Sequence, residues 1–273
     1  MKNRTLMGLV CVVGAAASAS MAAPTLFVTS GTDLYRIQLD APTEGASFTQ
    51  FDQFTMGASL VSLTADDQGR LWGTEVDDVN GDGMHALYSI SSGLTTPILN
   101  NEGEFLPERT GSLVWSNGQL HGFARESNQM ITIDPANDTS SIFGQLPVGM
   151  NTPSSSGWDS ATGAFYGIRS GELFRFNSGE ELSSTKVANV DFGLAGPAGG
   201  EIIDGIYYHA INDGTQMHIF SIDLESGLST ELIAFAVEGR APVGLAGING
   251  VPAPGALALL GAGGLVGLRR RRN

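Results

Sequence analysis

A short pattern recurs along the middle of this chain, and its period constrains the fold more than any other feature. Gly69-Arg70-Leu71-Trp72-Gly73 returns as Gly118-Gln119-Leu120-His121-Gly122, as Gly163-Ala164-Phe165-Tyr166-Gly167, and as Gly205-Ile206-Tyr207-Tyr208-His209. Gly250 follows Gly205 by 45 residues, where the repeating region ends. Before each turn lies a short strand-like run: Ser59–Leu63, Ser112–Ser116, Ser156–Asp159, Gly200–Ile203 and Gly244–Ile248. After each comes an alternating run: Leu87–Ile90, Met130–Ile133, Leu173–Phe176 and Ile219–Ile222. A fourth run follows: Thr96–Leu99, Ser141–Phe143, Lys186–Val190 and Thr230–Phe235. Apolar–polar alternation bounded by Gly, Asn and Asp marks antiparallel strands joined by turns. No window of this region has a helical period.

Four strands in each unit of roughly 40–50 residues predict the blades of a β-propeller. The last unit is split. Its first strand is Gly244–Ile248, and its other three are Thr25–Thr29, Leu34–Ile37 and Phe48–Phe51 near the N-terminus. Pairing the two parts closes a ring and removes the exposed edges of an open array. The expectation is an all-β, five-bladed propeller, with a six-bladed ring or a β-sandwich as alternatives. No complete WD or kelch signature is present.

The fold needs a core, and 42% hydrophobic residues can supply one. The formal net charge is −14. Lys2, Arg4 and Arg269 to Arg272 lie at the two ends, so residues 23–250 carry 8 Lys and Arg against 28 Asp and Glu, about −20. Phosphate backbones require clustered cations, so nucleic acid is excluded as a partner. An acidic surface fits solubility outside the cell, or attraction of divalent cations. Cys11 is the only cysteine. The repeating region therefore has no disulfide, thiolate metal site or cysteine nucleophile.

The N-terminus has a basic head (Lys2, Arg4), an apolar stretch (Leu6–Ala17) and small residues near Ser20-Met21-Ala22. These are the parts of a secretory signal, with cleavage expected between Ala22 and Ala23. The expected divisions are a signal at 1–22, a propeller at 23–250 and a tail at 251–273. In the tail, Val251–Leu268 spans 18 residues without charge. That is at the short limit for a transmembrane helix, and the arginines would hold the C-terminus on the cytoplasmic side. An ordinary membrane anchor is one reading. The other follows from the order of Val251-Pro252-Ala253-Pro254, an apolar helix and Arg269-Arg270-Arg271-Arg272, which resembles the PEP-CTERM sorting signal. The resemblance covers the tail alone. It implies export to the cell envelope, surface or extracellular matrix, and an exosortase-like membrane enzyme that cuts near the motif. Ala253 stands where that family has Glu.

Asp78-Val79-Asn80-Gly81-Asp82-Gly83 matches the first half of a calcium-binding loop. Alternate oxygens point inward around a tight turn that glycine permits. Asp78, Asn80 and Asp82 would supply side-chain oxygens, and Met84 its carbonyl. Ser89 stands where a bidentate acid is wanted; Glu75 and Asp77 are the nearby substitutes. The alternative is a metal-free hairpin turn, which Asn-Gly and Asp-Gly favour unaided.

Innermost strands line a propeller's channel. Trp115, Trp158, Asp159 and Glu201 fall on or beside them. Indole faces stack on sugars, and paired carboxylates hydrolyse glycosides when suitably spaced. Either role competes with simple packing and turn formation. The four histidines, His85, His121, His209 and His218, lack metal-ligand spacing; His121 occupies the packing position of Trp72, Tyr166 and Tyr208. No serine-nucleophile, P-loop or dinucleotide signature occurs. The leading reading is a non-enzymatic surface or matrix module that binds an exopolysaccharide or a surface protein. The alternatives are a hydrolase using Asp159 and Glu201, and a purely structural domain.

Overall fold

The computed structural model describes residues 24–40, 46–75, 84–91, 99–177 and 182–248. Every regular element among them is a β-strand, and the strands form five antiparallel four-stranded sheets. The protein is a five-bladed β-propeller.

Blade 1 joins β1 (Thr25–Ser30), β2 (Asp33–Leu39) and β3 (Phe48–Thr55) to β20 (Leu245–Ile248) in the order β20-β1-β2-β3. Leu26 pairs with Gly247 and Val28 with Leu245, so the expected split blade closes the ring. Blade 2 holds β4 (Leu60–Ala65), β5 (Leu71–Glu75), β6 (His85–Ile90) and β7 (Leu99–Leu106). Blade 3 holds β8 (Thr110–Ser116), β9 (Gln119–Ala124), β10 (Gln129–Asp134) and β11 (Thr139–Gln145). Blade 4 holds β12 (Ser155–Asp159), β13 (Ala164–Arg169), β14 (Glu172–Asn177) and β15 (Ser183–Asn189). Blade 5 holds β16 (Ala198–Ile203), β17 (Ile206–Asn212), β18 (Gln216–Ile222) and β19 (Ser229–Ala236). The inner strands touch one another in the ring order β4, β8, β12, β16, β20, and together they wall the channel.

Burial follows radius. β4 and β5 are buried almost throughout, whereas β3 and β15 at the rim are mostly exposed. Apolar clusters fill the seams between neighbouring blades. Phe27 and Leu34 meet Leu60 and Leu71; Trp72 and Leu87 meet Leu120 and Ile131. Phe123 and Met130 meet Phe165 and Phe176; Tyr166 and Leu173 meet Tyr207 and Ile222; Tyr208 and Ile219 meet Tyr35 and Ile37. Each fully buried side chain of this size contributes roughly 1.5–3 kcal/mol. His121 takes the large-ring position of blade 3. It lies edge-on to Phe143 and Phe165 at 4.8 and 5.6 Å, and burial lowers its pKa to about 4.

Local chemistry explains the turns. Asn117-Gly118 and Asp204-Gly205 have φ of 51° and 77°, and 51° and 78°. Two consecutive left-handed residues make the tight hairpin turn that suits twisted strands. Inner strands also approach closely, which restricts side chains. A Cβ on Gly157 would lie 2.5 Å from the Ile202 amide nitrogen, and one on Gly244 2.7 Å from that of Leu63.

Two features of the fourth strands add to the pattern read from sequence. Of the expected Thr96–Leu99 run in blade 2 only Leu99 is among the described residues, and β7 continues from it to Leu106. Its sequence, Leu-Asn-Asn-Glu-Gly-Glu-Phe-Leu, has little alternation, and its ladder to β6 shifts at two places. The register between third and fourth strands also shifts in every blade: at Gln38/Leu39, Leu87/Tyr88, Met130/Ile131, Leu173/Phe174 and Ile219/Phe220. A bulge there adds twist at the rim, where blades diverge.

Candidate functional site

A cavity of about 480 Å³ opens where the inner strands end. Trp115 near the end of β8, Trp158 and Asp159 at the end of β12, and Glu201 within β16 all line it. The four channel residues singled out in the sequence therefore converge. Asp66, Asp67 and Asp204, from the turns after β4 and β16, complete its acidic wall.

Both tryptophans are half-buried, each with one side packed on a seam. Trp158 contacts Phe165 with ring centroids 4.6 Å apart, and Trp115 packs against the cluster between blades 2 and 3. The Trp115 indole nitrogen is buried and has no hydrogen-bond partner. An unsatisfied buried donor costs about 1–3 kcal/mol, so an acceptor supplied by a ligand would be stabilising.

Glu201 is 6% exposed and sits in a chain of hydrogen bonds. The Trp115 backbone N–H donates to Thr64 Oγ1 over 3.1 Å, and the Thr64 hydroxyl donates to Glu201 Oε2 over 2.5 Å. β4 and β16 are separated in the ring by β20, so the Thr64–Glu201 bond crosses the channel. Burial pushes the Glu201 pKa up to about 8, against the opposing pull of Thr64 and the amides of Ile202 and Ala65. Near neutral pH the carboxyl is mostly protonated. Deeper in, Ser112 and Ser156 join their hydroxyls at 2.5 Å, so polar groups rather than apolar ones occupy this part of the channel wall.

Asp159 and Asp66 have structural work. Asp159 Oδ1 accepts the Ala161 amide at 3.1 Å; Oδ2 accepts the Thr162 amide and hydroxyl at 3.2 and 2.6 Å. Asp66 plays the same part in blade 2. It accepts the Gln68 and Arg70 amides, the Arg70 guanidinium at 3.0 Å and the Trp72 indole at 3.2 Å. Thr64, Asp66 and Asp204 were not among the residues the sequence singled out. A threonine in a strand and an aspartate in a turn carry no local sign that they face a channel. For the two aspartates, the recurrence of Asp at the end of the inner strand was the available signal.

Asp78, Asn80 and Asp82 lie outside the described residues; of the proposed calcium ligands only Met84, just before β6, is described. Glu75 accepts a hydrogen bond from the Tyr88 hydroxyl at 3.2 Å. Among the described residues no group of three His, Cys, Asp or Glu side chains could hold a metal. Ala22, Ala23, Val251, Pro252, Pro254 and Arg269 to Arg272 also lie outside them. Among the described residues no helix is long and apolar enough to cross a membrane.

No family model matches the sequence, and no curated protein matches it. Solved structures do. A chain from a nidogen/laminin complex superposes with a TM-score of 0.56 at 9% identity, over 82% of this chain and 98% of that one. A candidate 6-phosphogluconolactonase from Bacteroides fragilis gives 0.48 at 10% identity, over 85% and 99% of the two chains. A catalytically inactive virginiamycin B lyase from Staphylococcus aureus gives 0.40 at 17% identity, over 81% and 72%. The likeness to the nidogen/laminin chain is one of fold alone.

Proposed function

We propose that this chain is an exported surface or matrix protein whose propeller binds a glycan in the cavity at the ends of the inner strands. The observation that carries this reading is the meeting of Trp115 and Trp158 around one cavity, with a buried indole N–H that lacks an acceptor. Ring faces suit the apolar side of a sugar, and the indole N–H suits a hydroxyl oxygen. The signal-like N-terminus and the PEP-CTERM-like tail support delivery to the envelope by an exosortase-like system. Binding without cleavage is favoured because Asp159 spends both oxygens on its own turn.

A second reading has one specific observation behind it. Glu201 keeps its proton near neutral pH, as a general acid for glycoside hydrolysis must. One experiment addresses both readings. The full chain is applied to bacterial exopolysaccharides and other glycans, with calcium and with EDTA, while released sugar is followed. Saturable binding that weakens at least tenfold in Trp158→Ala, with no sugar released, is the expected outcome. Sugar release lost in Glu201→Gln would replace binding by hydrolysis. Binding lost in EDTA and in Asp82→Ala would bring in calcium at Asp78, Asn80, Asp82 and Met84. Absence of both binding and release would reject the glycan reading.

A further inference from the structure

The opposite mouth of the channel is chemically unlike the first. A cavity of about 220 Å³ lies where the inner strands begin, bordered by Val61, Ser154, Ala198 and Val243. Two arginines line it, Arg109 just before β8 and Arg125 just after β9, and no acid does. This is unusual in a region holding 8 cations against 28 acids.

The backbone forces the two cations together. The Arg125 amide donates to the Arg109 carbonyl at 3.0 Å, where the β8–β9 ladder opens into the mouth. Arg125 then folds back over Gly111. A Cβ on Gly111 would lie 2.5 Å from Arg125 Nε, so a larger residue there would displace the guanidinium. Partial loss of solvent and the neighbouring Arg109 charge both hold the Arg125 pKa below its ordinary value. Arginine nevertheless remains charged, so the repulsion is not relieved by losing a proton.

Among the described residues Arg36 pairs with Asp52, Arg70 with Asp66 and Lys186 with Glu172, whereas Arg169, Arg175 and Arg240 form no ion pair and Arg175 Nε is, like Arg109 Nε, buried without an acceptor. Neither Arg109 nor Arg125 forms an ion pair among the described residues, and Arg109 Nε is buried with no hydrogen-bond partner. The adjacent acid, Glu108, directs its Oε2 to the backbone amides of Glu126 and Ser127 at 2.5 and 2.8 Å. Like charges held together, a buried donor without an acceptor and a cavity in front of them lack one component, a small group with negative oxygens. Guanidinium forks match such groups by paired, charge-assisted hydrogen bonds.

We propose that Arg109 and Arg125 form an oxyanion-binding site at the channel mouth opposite the tryptophan cavity. The ligand group is a carboxylate, as on an acidic sugar, or a phosphate. This site is independent of the glycan reading, because it uses no residue of the tryptophan cavity.

The test titrates the full chain separately with glucuronate and inorganic phosphate, with neutral glucose as the control. Calorimetry gives the affinity, and the Arg109 Nε–H resonance reports the location. The expected result is saturable binding of at least one anion, weakened by added sodium chloride, with movement of that resonance. Arg125→Gln, a change at an exposed side chain, should weaken binding about tenfold or more. Arg109→Gln should do the same, and Trp158→Ala should leave phosphate binding unchanged. Preference for glucuronate would identify the group as an acidic sugar, and preference for phosphate as a phosphoryl group. The proposal is overturned if neither anion binds saturably, or if Arg125→Gln binds as tightly as the unaltered chain.

Discussion

Glu201 pays for its position in solvation. The residue is 6% exposed, and burial pushes its pKa up to about 8 from a usual value near 4.5. The sign of the consequence follows from proton counting. Between about pH 4.5 and 8 the folded chain keeps a proton that the unfolded chain has lost. Stability from this group is therefore complete below the lower value and declines as pH rises through the upper one. Glu201→Gln removes the titration. Relative to the unaltered chain it should gain about 3–5 kcal/mol of unfolding free energy between pH 4.5 and 9. Urea unfolding of both proteins across that range measures the difference, and parallel pH profiles would contradict it. The sequence could place Glu201 on an inner strand, but not its protonation. That depends on burial among the inner strands, which outweighs the opposing hydrogen bond from Thr64, 137 residues away across the channel.

The repeated turn and the inner strand behave as elements with fixed roles. The Gly-apolar-aromatic signature was legible because the second strand of each blade sits deep in the ring and must bury large side chains. The rim strands were harder to read. They are less buried than the inner strands, β3 and β15 mostly exposed, so alternation marks them weakly, and β7 has nearly none. The bulge between third and fourth strands leaves no local mark at all, because it answers the divergence of neighbouring blades. Glycines of the inner strands form a separate case. Gly157 faces the backbone of β16, where a Cβ would meet Ile202 N at 2.5 Å. Gly157→Ala should cost about 1–3 kcal/mol by forcing β12 and β16 apart. Thermal unfolding would show a lower midpoint, and an unchanged midpoint would mean that the strands yield without cost.

For the molecule as a whole, the closure of blade 1 joins distant parts of the chain. β1 and β20 are antiparallel neighbours, with Thr25 opposite Ile248. A short linker from Ile248 to Pro24 would turn this contact into a hairpin, and new ends could fall at Gly57/Ala58 between blades. Such a permuted propeller should fold cooperatively with a midpoint within a few degrees of a 24–248 reference. Deleting residues 244–248 should instead expose β1 and the seam beside it, and lower stability by about 3 kcal/mol or more. Circular dichroism melts of the three proteins provide the comparison. Equal stability of the deletion would show that the closing strand contributes little.

The sequence by itself determined the all-β class and pointed to five blades and the split closure, ahead of a six-bladed ring or a β-sandwich. These follow from periodic burial and turn chemistry, which act over a few residues and repeat. It also supplied the acidic balance and the inner-strand candidates Trp115, Trp158, Asp159 and Glu201. Only the tertiary structure decided what those candidates do. It gathered them around one cavity, committed Asp159 to its own turn and kept Glu201 protonated, and it set Arg109 against Arg125 at the other mouth. Such properties arise where five inner strands meet. Desolvation and charge proximity there depend on residues far apart in the chain, so no local pattern records them.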